Sequence, residues 1–270
     1  MTTAISGLTR VTFVVADPVA QLRTPQGLNV LWQDRAVDVI TVPAHVVASE
    51  LGAFFAGLRS NKSCLGAVLT VPHKQTAMAL CDELGDGARV AGAVNVVRRR
   101  PDGSLLGETF DGLGFVAGLA DVGFDCAGVP TVLIGAGGAA SAIAAALLKA
   151  GVTRLDVVNR SEQRARELVD RLAELYPGRD IGVGKARSLE AGLVVNATSL
   201  GMSKNDPIPF PVELIPSAAV AADVVMQAEL TPFLAAALSQ GAIVHEGRHM
   251  LAGQLRLIAD FLLAPDGKGS

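Results

Sequence analysis

The chain lacks most features that mark a secreted, metal-bound, nucleic-acid-binding or membrane protein. It has three cysteines, Cys64, Cys81 and Cys126, an odd number lying far apart among apolar neighbours. That excludes a disulfide framework and reads as reduced thiols in a cytoplasm. Histidine is scarce, with four in the chain, and no Cys/His spacing suggests zinc. Only His245 and His249 stand one helical turn apart, and Glu246 and Gly247 between them read as a loop, so no metal is expected. An excess of one charge is missing too. With 23 basic and 26 acidic residues the net charge is −3, which leaves no basic face for nucleic acid. No apolar run approaches the roughly 18 residues of a membrane span. The start, "MTTAISGLTRVTFVV", shows no basic leader followed by a small-residue cleavage site, so the cytoplasm is the expected compartment.

What the chain does have is apolar mass. Half of its 270 residues are hydrophobic, enough for one large domain or two medium ones. Two textures follow one another. From about residue 10 to about 110, "VTFVV" (11–15), "VDVITVP" (37–43) and "CLGAVLTVP" (64–72) read as strands. "PQGLNVLWQ" opens a helix behind Pro25. "VASELGAFFAGLRS" reads as an amphipathic helix with Leu51, Phe54, Phe55 and Leu58 at helical spacing. "KQTAMALCDEL" (74–84) reads as a further helix. "GAVNVVRRR" and "LLGETF" form a hairpin around the turn "PDG". Alternating strands and helices predict a mainly parallel α/β sheet.

The second half is more regular. "TVLIGAGGAASAIAAALLKAG" is a strand, a glycine turn and an Ala-rich helix. "LDVVNR", "IGVGKA", "GLVVNATS", "AAVAADVV" and "GAIVHEG" complete six strands with helices between them. "HMLAGQLRLIADFLL" is a last helix with Met250, Leu251, Leu255, Ile258 and Leu262 on one face, and the polar tail after it is expected to be unstructured.

Two stretches carry chemistry. The first is "VLIGAGGAASA", where Gly135, Ala136, Gly137, Gly138 and Ala139 lie directly between an apolar strand and a helix. Glycines there let the backbone turn tightly and approach a pyrophosphate, and the helix start supplies free N–H groups. The end of the next strand selects the dinucleotide. A free ribose 2′-hydroxyl is normally held there by Asp or Glu. This chain has Asn159, Arg160 and Ser161, with Arg164 one helical turn on, while Asp156 comes three residues too early. Guanidiniums and a hydroxyl suit a 2′-phosphate, so NADP is expected over NAD. The second is "GAVLTVPHKQ" (66–75), which sets Lys74 at the mouth of an apolar strand. Most lysines in such a place simply point into water.

The strings "TVPHK" (70–74), "GAVN" (92–95), "DGLGF" (111–115), "GAGGA" (135–139), "NRS" with Arg164, "NATSLGM" (196–202) and "GRHML" with Gln254 occur in this order. Together they resemble the shikimate dehydrogenase family over about residues 10 to 263. The resemblance implies two α/β domains. Residues 1–112, with a C-terminal helix at 250–270, would form a substrate domain. Residues 113–249 would form a Rossmann domain binding NADP. It implies that Lys74 and Asp111 are the catalytic pair, and that Thr70, Asn95 and Gln254 contact substrate together with the positions of Leu22 and Thr24. Asn196, Thr198, Ser199, Leu200, Val224, Gly247 and Met250 match the region around the nicotinamide. The implied reaction interconverts a ring alcohol of the shikimate type and its ketone. A lysine beside the ketone oxygen can donate the proton, and an aspartate beside it would favour its charged form. The oligomeric state is not readable, and a homodimer is left open.

The sequence departs from that family in the substrate pocket. "ADPVAQLRTPQGLN" (16–29) has Gln21 for a histidine, Leu22 and Thr24 for two serines, and Leu28 for a second histidine. Val68 replaces an asparagine, Thr109 and Phe110 replace Asn-Thr, and Met226 replaces a tyrosine. The family's serines and tyrosine hold a substrate carboxylate. Leu22 and Met226 cannot, and two lost hydrogen bonds to a charged group would weaken binding by roughly 10²–10⁴-fold. Quinate or another related cyclic hydroxy acid, or a less acidic ring, is therefore the alternative substrate. A nucleotide-sensing module of the same fold is the non-enzyme alternative.

Overall fold

The computed structural model of the chain describes residues 5–203, 205–226 and 230–265. Most of the polar tail expected to be unstructured, from residue 266 on, lies outside the described residues. The chain divides into two compact units, Met1–Phe110 with Gln254–Ser270, and Asp111–Gly253.

The first unit is built on β1 (Arg10–Ala16), α1 (Thr24–Asp34), β2 (Val39–His45), α2 (Leu51–Ser60), β3 (Cys64–Leu69), β4 (Glu83–Leu84), α3 (Asp86–Ala91), β5 (Val96–Arg99) and β6 (Leu105–Glu108). The later part of α8 (Gly247–Leu263) joins it. Its sheet runs β2-β1-β3-β5-β6-β4, and only β5 opposes its neighbours. Period-2 alternation sends Val15 to a cluster with Leu51, Phe55, Leu58 and Leu69. Its neighbour Val14 goes to another, with Leu28, Trp32, Val68, Ile258 and Leu262. Covered on both faces, β3 is buried at all six positions. Gly66 is required where it stands. Its φ is +153°, and a Cβ would lie 1.9 Å from the Val97 carbonyl oxygen. The expected hairpin joins β5 to β6, its turn held by Asp102 accepting from the Ser104 N–H at 2.8 Å.

Residues 74–84 do not form the single helix expected of them. They make a 3₁₀ turn at Thr76–Leu80 and then strand β4, which pairs with β6. Pairing at the sheet edge wins over helix propensity here. The Asp82 N–H donates to the Leu105 carbonyl at 2.9 Å, and the Asp82 carboxylate accepts from the Leu105 N–H at 2.7 Å.

The second unit comprises α4 (Asp111–Asp121), β7 (Pro130–Ile134), α5 (Gly138–Lys149), β8 (Arg154–Val158), α6 (Glu162–Leu175), β9 (Asp180–Val183), β10 (Leu193–Asn196), β11 (Val220–Asp223), α7 (Pro232–Ser239), β12 (Ile243–His245) and the start of α8. All six strands are parallel in the order β12-β11-β10-β7-β8-β9. Counted from β7, that is 3-2-1-4-5-6, the order of a dinucleotide-binding sheet, with its switch point between β7 and β10. Helix α5 is buried along residues 140–148, because α4 covers it. The approach is so close that a Cβ on Gly112 would lie 2.0 Å from the Ala142 carbonyl oxygen. No helix among the described residues is long and apolar enough to cross a membrane.

Candidate active site

The glycine turn sits at the switch point of the second sheet. Gly135 takes φ +119°, which only glycine adopts freely, and a Cβ there would lie 3.0 Å from the Ala197 carbonyl oxygen at the tip of β10. Its N–H is tied to the Val158 carbonyl at 2.8 Å, which fixes the turn against the tip of β8. Ala136 follows, half-buried. Gly137 precedes α5 in extended conformation, and a Cβ on it would meet nothing within 4 Å. Open ground thus faces the start of α5, where the N–H groups of Gly138 and Ala139 have no acceptor in their own helix. This is a cradle for an anion backed by a helix dipole.

At the tip of β8 the Asn159 side chain donates to the Ser161 carbonyl at 2.9 Å, and Ser161 Oγ caps α6 by accepting from the Arg164 N–H at 3.5 Å. Arg160 and Arg164 are exposed, and their guanidiniums pair with no carboxylate among the described residues. The first-turn carboxylate, Glu162, is already engaged by Arg166 at 2.5 Å. Asp156 is buried and held by Arg154 at 3.0 Å and Arg187 at 2.6 Å, so it is not free to bind a ribose. Two uncommitted guanidiniums without a rival carboxylate fit a 2′-phosphate.

The tips of β10 and β11 are joined by buried polar groups. Asn196 Nδ2 donates to Asp223 Oδ1 at 3.0 Å and to the Leu200 carbonyl at 3.0 Å. Asn196 Oδ1 accepts from the N–H and the hydroxyl of Thr198, at 3.1 and 2.7 Å. Thr198 Oγ1 in turn accepts from the Leu200 N–H at 3.1 Å. These bonds fold residues 196–200 into a fixed loop that leaves Ser199 exposed. Val224 follows β11, and Gly247 opens α8 against it. A Cβ on Gly247 would lie 2.8 Å from the Val224 carbonyl oxygen. Met250 is buried in the next turn of α8.

In the first unit Thr70, Lys74 and Asn95 are brought together by backbone bonds. The Leu69 N–H donates to the Asn95 carbonyl at 2.7 Å, and the Val94 N–H donates to the Lys74 carbonyl at 2.8 Å. Lys74 is half-buried on the turn after β3, and Thr70 is half-buried at its start. Asn95 is buried, and its Oδ1 accepts from the Phe110 N–H at 3.0 Å. Gln254 is buried on α8. Thr24 is half-buried at the first position of α1. Leu22 packs into the apolar cluster of Val14, Leu28 and Val68. Asp111 belongs to the second unit. It is the first residue of α4, 2% exposed, on the helix that Gly112 presses against α5. Among the described residues no group of three or more His, Cys, Asp or Glu could hold a metal. His245 and His249 are stacked ring on ring, with centroids 4.8 Å apart.

Asp223 stands in the string D-x-V before Met226, but nothing in the sequence singles out Asp223 or Thr231 as a site residue. The polar residue ending β11 was the only available signal. A parallel 3-2-1-4-5-6 sheet with an anion cradle, carried on one chain with an α/β unit of clustered polar side chains, defines a dinucleotide-dependent oxidoreductase.

Residues 14–97 match the shikimate dehydrogenase substrate binding domain, and residues 119–199 match shikimate / quinate 5-dehydrogenase. A shikimate dehydrogenase (NADP(+)) of Rubrobacter xylanophilus is 38% identical over 93% of this chain and 89% of its own length. The structure of shikimate 5-dehydrogenase from Thermus thermophilus with NADP(H) and shikimate superposes with a TM-score of 0.86. It is 30% identical and covered to 94%, over 95% of this chain. A ligand-free 5-ketofructose reductase of Gluconobacter sp. strain CHM43 superposes with a TM-score of 0.83 at 27% identity, over 95% of this chain and 94% of its own. The chain belongs to the shikimate dehydrogenase family.

Proposed function

We propose that the chain is a cytoplasmic NADP-dependent dehydrogenase that interconverts shikimate and 3-dehydroshikimate. The observation that carries this is a glycine cradle with two uncommitted arginines at the β8 tip, in a chain 38% identical over 93% of its length to a relative named for NADP(+). The unit Met1–Phe110 with Gln254–Ser270 holds the substrate in this reading, and Asp111–Gly253 holds the dinucleotide. Gly137 and Gly138 let the pyrophosphate approach the α5 N–H groups, while Arg160 and Arg164 take the 2′-phosphate. Bound NADP supplies hydride exchange. The chain's own groups place the ring and handle the proton. Thr70, Asn95 and Gln254 orient the ring hydroxyls. Lys74 Nζ gives its proton to the ketone oxygen as the alcohol forms and takes it back in the reverse direction. The Asp111 carboxylate keeps the lysine charged and aimed.

A second reading concerns the substrate only. Leu22, where the family has a serine, is packed against Val68 and Leu28, leaving the carboxylate without that hydroxyl. Quinate, another ring acid or a less acidic polyol would then be preferred, and a 5-ketofructose reductase of the same fold is consistent with this.

NADPH formation measured with shikimate, quinate and neutral polyols separates the readings. Fast turnover of shikimate at low concentration supports the first and removes the basis of the second. Tight NADP binding without turnover of any of them contradicts both.

A further inference from the structure

The Asp223 carboxylate is fully buried and accepts three hydrogen bonds from three different places in the chain. One comes from Asn196 Nδ2 at 3.0 Å, at the tip of β10. One comes from the Val225 N–H at 2.9 Å, just past β11. The third comes from the Thr231 hydroxyl at 2.7 Å, the residue that caps α7. No cation is among these partners. Burial raises the Asp223 carboxyl above the usual carboxylate range despite the donors. A buried carboxylate held only by neutral donors is costly, and apolar side chains of the same shape would pack there more cheaply. What the carboxylate achieves is a shared register. The Asn196 amide that it orients also fixes the Thr198 and Leu200 backbone. The Val225 and Thr231 bonds pin both ends of the connection between β11 and α7.

We propose that Asp223 is a positioning residue for hydride transfer. It sets the backbone of residues 196–200 and of Val224 and Val225 as one unit beneath the reactive end of the dinucleotide. It has no part in holding the adenosine 2′-phosphate end, which lies with β7, β8 and their turns. This rests on the dehydrogenase reading above and adds a residue with a role distinct from substrate or phosphate contact.

The two ends of the dinucleotide can be probed separately. Adenosine 2′,5′-bisphosphate carries only the phosphate end, and its affinity is measured calorimetrically on the full chain. Steady-state kcat with NADP and shikimate reads the reactive end. For Asp223→Asn the bisphosphate affinity stays within about twofold of wild type, while kcat falls about 10²-fold, as expected for a reacting centre misplaced by about 1 Å. Thr231→Val lowers kcat about tenfold, the value of one hydrogen bond to a charged group, and Thr231→Ser restores it. If Asp223→Asn does not fold, the Thr231 pair decides. The proposal is overturned if folded Asp223→Asn, or Thr231→Val, turns over like wild type. It is also overturned if bisphosphate affinity falls in step with kcat. A wild-type chain that neither binds the bisphosphate nor reduces NADP with any ring acid contradicts the dehydrogenase reading itself, a result distinct from either of these.

Discussion

In the proposed function Arg160 and Arg164 carry the preference for a phosphorylated dinucleotide, on two side chains that pair with no carboxylate among the described residues. Replacing both with alanine removes two charge-assisted contacts worth roughly 1.5–3 kcal/mol each. NADP affinity should fall by about 10²–10⁴-fold with NAD affinity nearly unchanged, as read from KM for each dinucleotide. A second prediction at this scale concerns His73, which is 1% exposed and has no partner for either ring nitrogen among the described residues. A buried polar group left unpaired costs about 1–3 kcal/mol. His73→Phe, similar in shape, should raise the melting temperature by a few degrees, and a fall would show that the imidazole has a use that the fold conceals. The glycines and arginines of the cradle are legible in the sequence because each lies within a few residues of the next, between a strand and a helix. The Asp223 cluster is not, because its partners stand 27 and 8 residues away and meet only when the sheet forms.

At the level of elements, the strands are legible because their apolar runs are short and bounded by glycine or proline. The departure of residues 74–84 from a helix has a definite cause. The apolar spacing of Leu80 and Leu84 suits a helix, but pairing of Glu83 and Leu84 with β6 holds the end of the segment as a strand. Helix α4 shows in the sequence only as the motif "DGLGF", since three glycines in its eleven residues mask a helical pattern. One of those glycines supplies a test. Gly112→Ala places a Cβ 2.0 Å from the Ala142 carbonyl oxygen, so α4 must shift away from α5. Overpacking of this kind costs about 1–3 kcal/mol, and moving α4 also moves Asp111 at its first position. Urea unfolding should show the stability loss, and kcat should fall with it. Gly123→Ala, where a Cβ would meet nothing but φ is +82°, should lower stability through strain alone and leave kcat near wild type.

For the whole molecule, stability should depend on pH through His245. Burial, and then the neighbouring His249, push this imidazole down to about 4 from its ordinary value of 6.5. Phe115 meets it edge-on, with ring centroids 6.0 Å apart. The folded state therefore holds His245 neutral while the unfolded chain takes up a proton below pH 6.5. Stability is complete above that pH and drains away as pH falls toward about 4. The slope is about 1.4 kcal/mol per unit where only the unfolded state is protonated. The melting temperature of wild type should therefore fall relative to that of His245→Phe as pH drops from neutrality toward about 5, and parallel curves would contradict this. In the proposed mechanism a lysine on the turn after β3, Lys74, moves the proton of the reaction. Reduction of 3-dehydroshikimate by NADPH, compared in wild type and Lys74→Met with NADPH affinity determined alongside, isolates this step. In Lys74→Met, kcat should be lower by about 10²–10⁴-fold with NADPH affinity held within about twofold. Turnover in the variant close to that of wild type would contradict it.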